Sequence, residues 1–297
     1  MSLIKYIRCL KPSKILIMNI DNNLFYFLIL SFMRVKLYGI LFAPLQSFHK
    51  SSVRHLFKVK LIKALLYRKS IIEIFNIERP EYSHWKVTRQ KELLIAPNID
   101  LALVQKKTTI ESHHQRIRFS IIGFIQARKG PFLLLDTIRY LLTQNPILLD
   151  SFKFQIIGVQ DGEVKNRLKG YKDILNDERV EINIDDKYLS EDEYFTHLTN
   201  TDYNMLLYSQ FYASSGVLLQ SAQYGVPIVC GNEGIINYLV TKFHLGYTIP
   251  LDVKALANKM IAIKENRKFH FTPLLRDMYI RNRLEKYFGE PIVRALL

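Results

Sequence analysis

Two short stretches carry residue types suited to holding an anion. The first is Ser214-Ser215-Gly216, which follows an apolar segment and opens a helical pattern running to Tyr224. Backbone N–H groups at a helix start have no partner within the helix, and the helix dipole adds partial positive charge. A phosphate fits there, with the amides of Val217 and its neighbours pointing at it. Gly216 removes a Cβ where a ligand must approach closely. The competing reading is an ordinary N-cap, a serine hydroxyl accepting from its own helix. That reading employs one serine and leaves the other serine and the glycine without a role. The second stretch is "GFIQARKG", residues 123–130. Lys129-Gly130-Pro131 open the next helix, where proline is tolerated because its missing N–H would be unpaired anyway. Arg128 and Lys129 are either two solvated cations or point charges for a phosphate. Together, a helix N-terminus and a lysine over one sheet suit a diphosphate, and preorganised donors of this kind stabilise a departing one.

Such loops need a scaffold that delivers both to the same edge. Apolar runs at 117–125, 152–159, 179–184, 203–208 and 226–230 read as strands. Helical patterns lie between and after them, at about 130–145, 161–176, 190–199, 214–224, 233–242 and 252–265. This alternation predicts a parallel, doubly wound sheet whose ligands bind beyond the carboxyl ends of the strands. The first hundred residues alternate less clearly. Strands are expected at 14–20, 35–42, 70–75 and 92–98, and helices at 24–33 and 48–68. The polar stretch holding Lys106, Lys107, Glu111, His113 and His114 reads as a linker.

Charge divides the chain in the same way. Residues 1–115 hold 19 Lys and Arg against 7 Asp and Glu, a net +12 of the total +15. Within that half, Leu56, Val59, Leu61, Ile62, Leu65 and Leu66 can form one helix face flanked by Lys58, Lys60, Lys63, Arg68 and Lys69. The face either packs on a sheet or lies on an anionic membrane surface. Nucleic acid is the other partner that charge suggests, but no zinc-finger, homeodomain or RNP-like pattern supports it. The apolar run Leu24–Met33 is about half the length that crosses a bilayer and is expected to be a buried helix. No signal peptide is evident. Two distant cysteines, Cys9 and Cys230, imply neither a disulfide framework nor a zinc site, which suits a cytoplasmic setting. Asp185-Asp186 reads as a solvated acidic pair, so no metal is expected.

Residues 116–290 resemble the carboxyl-terminal, donor-binding domain of GT-B glycosyltransferases of the group 1, or family 4, type. Gly123, Lys129 and Gly130 match the family's Gly-Arg-x-x-x-x-Lys-Gly in register. "ASSGVLLQSAQYGVPIV" matches its Ala-x-x-x-Gly-x-Pro pattern at Gly225 and Pro227. "HLGYTIPLDVKALANKM" (244–260) and "APNID" (96–100) resemble its closing segment and its interdomain approach. The resemblance implies an α/β, GT-B-like fold of two Rossmann-like domains with parallel sheets. These are an acceptor-side domain over 1–105 and a donor-binding domain over 116–290. The first looks incomplete, because the family's opening strands and glycine-rich loop have no counterpart and His49 is off the register of the family's histidine. The resemblance further implies transfer of a sugar from a nucleotide diphosphate sugar to a glycan or lipid-linked acceptor, without cofactor or metal, in surface polysaccharide or glycolipid synthesis. The setting it implies is cytoplasmic, with the basic half at the inner membrane face. Lys129 and Arg128 would stabilise the leaving diphosphate. Gly123, Ser214, Ser215, Gly216 and Val217 would cradle it, Gln220 would meet the ribose, and Tyr188 would lie near the base. Some family positions differ. Phe124 stands where the family has a phosphate-binding arginine, Tyr212 and Gln220 replace its paired glutamates, and Tyr238 lies near another. These departures leave open a non-catalytic or partner-dependent nucleotide-sugar-binding subunit.

Overall fold

The computed structural model describes residues 9–17, 20–32, 35–41, 57, 60–61, 72–76, 94–95, 115–209, 215–266, 268–283, 290, 292–294 and 297. The chain divides into two compact units, one built on Met1–Leu101 with Asn282–Leu297, the other on Ala102–Phe211 and Ser215–Arg281. The first holds a four-stranded sheet of β1 (Lys14–Ile17), β2 (Lys36–Leu41), β3 (Ile72–Asn76) and β4 (Leu94–Ile95), in that order. All its pairings are parallel. Helix α1 (Ile20–Leu30) makes the crossover from β1 to β2. The sequence expects this apolar helix to be buried. Leu30 and Ser31 are, but Phe25 and Phe32 stand out at 68% and 71% exposure. That expectation is therefore corrected: among the described side chains of α1, Leu30 is buried while Phe25 and Tyr26 are exposed. Of the expected helix over 48–68, only Phe57, Lys60 and Leu61 are described, and they are helical. The 106–114 stretch and His49 lie outside the described residues.

The second unit holds β5 (Ile117–Ile122), β6 (Phe152–Ile157), β7 (Ile182–Asp185), β8 (Tyr203–Leu206), β9 (Ile228–Gly231) and β10 (Gly246–Ile249). Their order in the sheet is β10-β9-β8-β5-β6-β7, and every pairing is parallel. Strands covered by helices on both faces are mostly apolar: "IRFSII" and "FKFQII" each carry four apolar residues of six and are buried at every position but the second. Phe119 anchors the interior, with ring centroids 5.5 Å from Phe152, 6.2 Å from Phe154 and 5.8 Å from Tyr203. Helix α2 (Pro131–Gln144) lays Leu134, Leu135, Ile138 and Leu141 on one face of the sheet. The later helices α3 (Gly162–Leu168), α4 (Lys172–Leu175), α5 (Glu191–Thr199), α6 (Gly216–Tyr224), α7 (Gly234–Lys242), α8 (Val253–Glu265) and α9 (Pro273–Arg281) complete the unit. Helix α8 adds Leu256, Ala257, Met260 and Ile263 to the core that α2 covers. Local signals set the helix ends. Asp161 accepts from Val164 N–H, Asp252 accepts from Ala255 N–H, and Ser190 forms a reciprocal capping box with Glu193.

Two strands end earlier than their apolar runs do. The chain leaves β5 at Gly123 (φ 105°) and β6 at Gly158 (φ 129°), conformations that favour glycine. The helix expected over 161–176 is broken into α3, a 3-10 turn at Lys169–Tyr171, and α4. Gly170 weakens the helix there. Tyr171 turns inward, its ring 5.9 Å from that of Phe132 and its hydroxyl donating to Asp136 at 2.9 Å. β10 and α9 are additions to the sequence reading.

Candidate functional site

The strand order of the second sheet locates its ligand edge. The chain winds outward through β5, β6 and β7, then returns to β8 beside β5 and winds the other way. Doubly wound sheets bind ligands outside the carboxyl ends of the strands where this reversal occurs. That position lies between the loop after β5 and the loop after β8, the two stretches singled out above.

Backbone contacts join the two loops. Gly130 (φ 81°) ends the 3-10 turn Ala127–Lys129 and begins α2. A Cβ on Gly130 would lie 2.4 Å from Leu207 Cβ and 2.6 Å from the Leu207 carbonyl oxygen. The absence of that Cβ lets the loop rest on the tail of β8. Ser209 N–H then donates to the Arg128 carbonyl at 2.8 Å. On the other side, Ile125 N–H donates to Val159 and Asp161 N–H donates to Ile125, at 2.8 and 3.0 Å. Gly158 and Gly123 are in backbone contact, for a Cβ on Gly158 would lie 2.0 Å from the Gly123 oxygen. Gly123 itself has open space on its Cβ side. Asp186 secures the β6 loop by accepting from Gln160 N–H at 2.9 Å, and it pairs with Lys165 at 2.7 Å. The acidic pair is thus bound into the scaffold, with Asp185 facing Lys187 at 3.5 Å.

This clamp sets Lys129 against Tyr208. The ammonium lies 5.5 Å from the ring centroid, and among the described residues no carboxylate pairs with it. Loss of solvent, and then the neighbouring Arg128 guanidinium, lower its pKa from 10.5 to about 8. Tyr208 lies inward, and burial raises its hydroxyl pKa while a hydrogen bond with the Ser215 side chain opposes the rise. One tyrosine therefore touches both halves of the expected site, its ring under Lys129 and its hydroxyl on Ser215. Arg128 is exposed and donates through Nε to Gln126 Oε1 at 3.1 Å, and its positive charge acts on both Lys129 and Tyr208.

Ser215 does not act as an ordinary N-cap. It holds the N-cap position of α6 in extended conformation (φ −115°, ψ 120°) but makes no capping bond. Its side chain is buried and engaged by Tyr208. The helix amides that do bond near this end, Leu218 and Leu219, reach the Ser215 carbonyl at 3.1 and 3.4 Å. The Gly216 and Val217 amides have no acceptor among the described residues. Gln220 is half-buried one turn further on. Ser214 and Tyr212 lie outside the described residues. Tyr188 is 85% exposed after β7, two strands from β5 and so roughly 10 Å across the sheet. Phe124 is half-exposed, and Tyr238 receives a 2.7 Å hydrogen bond from Lys242.

A buried polar relay holds α6 from below. Asn204 stands beside Ser120 in the sheet register. Its side-chain amide donates to Ser221 Oγ at 2.9 Å, and Ser221 donates to the Val217 carbonyl at 2.7 Å. The relay ties β8 to the first turn of the helix. Sequence reading missed it, and Tyr208 as well, because Asn and Tyr at the ends of apolar runs look like ordinary turn and core residues.

Two predictions arise here. Tyr208→Phe keeps the ring under Lys129 but frees Ser215. It should weaken nucleoside diphosphate binding by about 1 kcal/mol, roughly fivefold, by calorimetry. Second, the charge on Lys129 opposes folding. The unfolded chain keeps this proton up to 10.5 and the folded chain up to about 8. Between those values the unfolded state binds more protons, so stability rises with pH, and the full cost is present below 8. Lys129→Met should therefore stabilise the ligand-free protein at pH 7 by about 1 kcal/mol after solvent screening, a few degrees in Tm. The gain should shrink as pH rises from 8 towards 10.5.

The two parallel sheets, the switch point and the glycine-clamped loop above it define a GT-B-type α/β fold. Solved structures that share it include TarM, with a TM-score of 0.65 at 15% identity over 99% of this chain. The sucrose-phosphate synthase of Thermosynechococcus elongatus gives a TM-score of 0.71 at 13% identity, over 99% of this chain and 76% of its own. OtsA gives 0.69 at 10% identity, over 98% and 74%. These neighbours are GT-B glycosyltransferases. This chain spans 56% of the length of TarM. No family model and no curated protein sequence matches the chain.

Proposed function

We propose that this protein transfers a sugar from a nucleotide diphosphate sugar to an acceptor hydroxyl. One observation carries the reading: Lys129 and the start of α6 meet across Tyr208 at the switch point of the sheet. When the glycosidic bond to the donor breaks, negative charge grows on the departing diphosphate. A partly desolvated ammonium and uncapped amides stabilise that charge more strongly than water does, because they are already oriented. With these donors in place no metal and no cofactor enter the scheme. Gly123 leaves room above β5, Gln220 offers the ribose an amide that donates and accepts, and exposed Tyr188 offers the base a ring. Arg128 adds positive potential from the loop.

The neighbours support this donor and a sugar acceptor. A TarM variant from S. aureus was solved with UDP, alpha-GlcNAc-glycerol and fondaparinux, and matches with a TM-score of 0.63 at 12% identity. The acceptor here is a glycan or lipid-linked hydroxyl in surface polysaccharide or glycolipid synthesis, met at a cytoplasmic membrane face. The net +12 of residues 1–115 supports that setting. Among the described residues no helix is long and apolar enough to cross a membrane.

A second reading, a nucleotide-sugar-binding subunit that needs a partner for turnover, is favoured by Phe124 where the resembled family has arginine. A structure with a shared fold is that of a GtfA/B complex. Thermal stabilisation by nucleoside diphosphates and their sugars, followed by donor hydrolysis, separates the cases. Stabilisation with hydrolysis supports the enzyme and stabilisation alone supports the subunit. No shift with any nucleotide contradicts both.

A further inference from the structure

The hydrogen bonds that start at Asn204 run on past the Val217 carbonyl. Ser221 has one hydroxyl proton, and it goes to the Val217 oxygen at 2.7 Å. The Asn204 group that faces Ser221 Oγ at 2.9 Å must therefore donate, which turns the nitrogen of its amide towards the helix. The peptide that holds the Val217 carbonyl also holds the Leu218 N–H, and this donates to the Ser215 carbonyl at 3.1 Å. The peptide that holds the Ser215 carbonyl in turn holds the Gly216 N–H. That amide has no acceptor among the described residues. Every link donates in one direction, from the Asn204 amide in β8 to the Gly216 N–H at the ligand edge.

The chain is buried. Asn204 is 1% exposed, Ser221 and Leu218 0%, and Ser215 6%. In such surroundings aligned hydrogen bonds polarise one another, by roughly 10–30% per bond. A carbonyl that accepts a bond makes the N–H of its own peptide a stronger donor. The arrangement also has a cost, because Asn204 Oδ1 is buried without a hydrogen-bond partner among the described residues. A buried acceptor left unpaired destabilises a fold, and an apolar side chain of similar shape avoids that loss. The neighbours of Asn204 in β8, Tyr203 and Met205, are each 1% exposed, so an amide interrupts an otherwise apolar stretch. Where a local pattern is broken in this way, function is the usual cause. The far end of the chain is held from a second side, by the bond between the Ser215 side chain and Tyr208.

Granting the diphosphate site proposed above, on which this rests, we propose that Asn204 and Ser221 are its positioning residues: their chain orients and polarises the Gly216 N–H before the ligand arrives. Neither side chain touches the donor. They act through two peptide groups of the first turn of α6.

The test is isothermal titration of the full chain with UDP and with uridine, which lacks the phosphates. Asn204→Leu/Ser221→Ala removes both hydrogen-bonding partners together and leaves no new unpaired group. Its melting temperature should equal or exceed that of the wild type. Its affinity for UDP should fall about fivefold, the net contribution of roughly one hydrogen bond, while its affinity for uridine stays unchanged. A second measurement needs no variant. In amide spectra of the wild type, UDP should move the Gly216 proton downfield and the Leu218 proton with it, because donation by Gly216 makes the Ser215 carbonyl a better acceptor. If the double variant binds UDP like the wild type, or if Gly216 shifts and Leu218 does not, the chain is refuted while the diphosphate site stands. If the variant melts lower and loses UDP and uridine alike, its role is structural and the proposal is overturned. If the wild type binds no UDP, or UDP leaves Gly216 unmoved, the site and the chain are both refuted.

Discussion

Replacing Lys129 by alanine should reduce the affinity for a nucleoside diphosphate by about 10- to 150-fold at pH 7, measured by isothermal titration. The ammonium lies over the Tyr208 ring with no carboxylate partner among the described residues, so its charge is available to a ligand. A hydrogen bond to a charged group contributes about 1.5–3 kcal/mol, which sets the range. The same charge predicts a pH profile. With its pKa lowered to about 8 by burial and by Arg128, Lys129 is protonated at pH 7 and loses its proton through the range around 8. Diphosphate binding needs the protonated form, so wild-type affinity should fall as pH passes 8. The alanine variant should lack that fall. Bound diphosphate raises the lysine pKa, so complex formation between pH 8 and 9 should take up protons from the buffer. The joint signature is specific. A structural role for Lys129 predicts a less stable variant, whereas this account predicts a variant without the charge that binds donor poorly and melts no lower.

Gly130→Ala should have the larger effect, because it acts on the clamp that makes the site. The new Cβ meets Leu207 at 2.4 Å and its carbonyl at 2.6 Å, distances no real Cβ tolerates, and the backbone there has φ 81°. Strain at a positive φ alone costs about 1–3 kcal/mol. The clash adds to that, since one collision is with backbone and cannot be relieved by a rotamer change. The loop must lift from β8, which breaks the Ser209–Arg128 bond and withdraws Lys129 from Tyr208. Differential scanning calorimetry should show a loss of about 3 kcal/mol or more, and nucleotide binding should vanish even at temperatures where the variant remains folded. A control at Gly162, which opens α3 with nothing within 4 Å of its Cβ position, should tolerate alanine.

The contrast between those two glycines shows what the sequence discloses. The order of strands and helices from 116 to 242 was readable because those strands are largely apolar runs, and Ser190, Asp161 and Asp252 mark helix starts there and at α8. The Lys129-Gly130-Pro131 turn was readable from residue type. Tyr208 was not, because its role comes from a neighbour one strand away in space and 79 positions away in number, and no local pattern records that. The same holds for Asn204, whose bond to Ser221 exists only once β8 lies beneath α6. β10 escaped notice for a different reason. It is four residues long, and its Gly246 is required where a Cβ would fall 2.0 Å from the Ile228 oxygen, so a strand carries a residue that usually marks a turn. In the amino-terminal unit, the apolar run beginning at Leu24 announced a helix. Composition alone did not distinguish a helix buried on all sides from one that leaves Phe25 and Tyr26 exposed.

The central claim is that Lys129 and the first amides of α6 meet one diphosphate. The most direct measurement is a crystal structure of the protein grown with UDP. The account predicts diphosphate oxygens about 2.7–3.2 Å from both Lys129 Nζ and the N–H groups of Gly216 or Val217, with Tyr208 beneath them. A diphosphate bound elsewhere, or one touching only one of these two groups while side chains fill the space between, would contradict it.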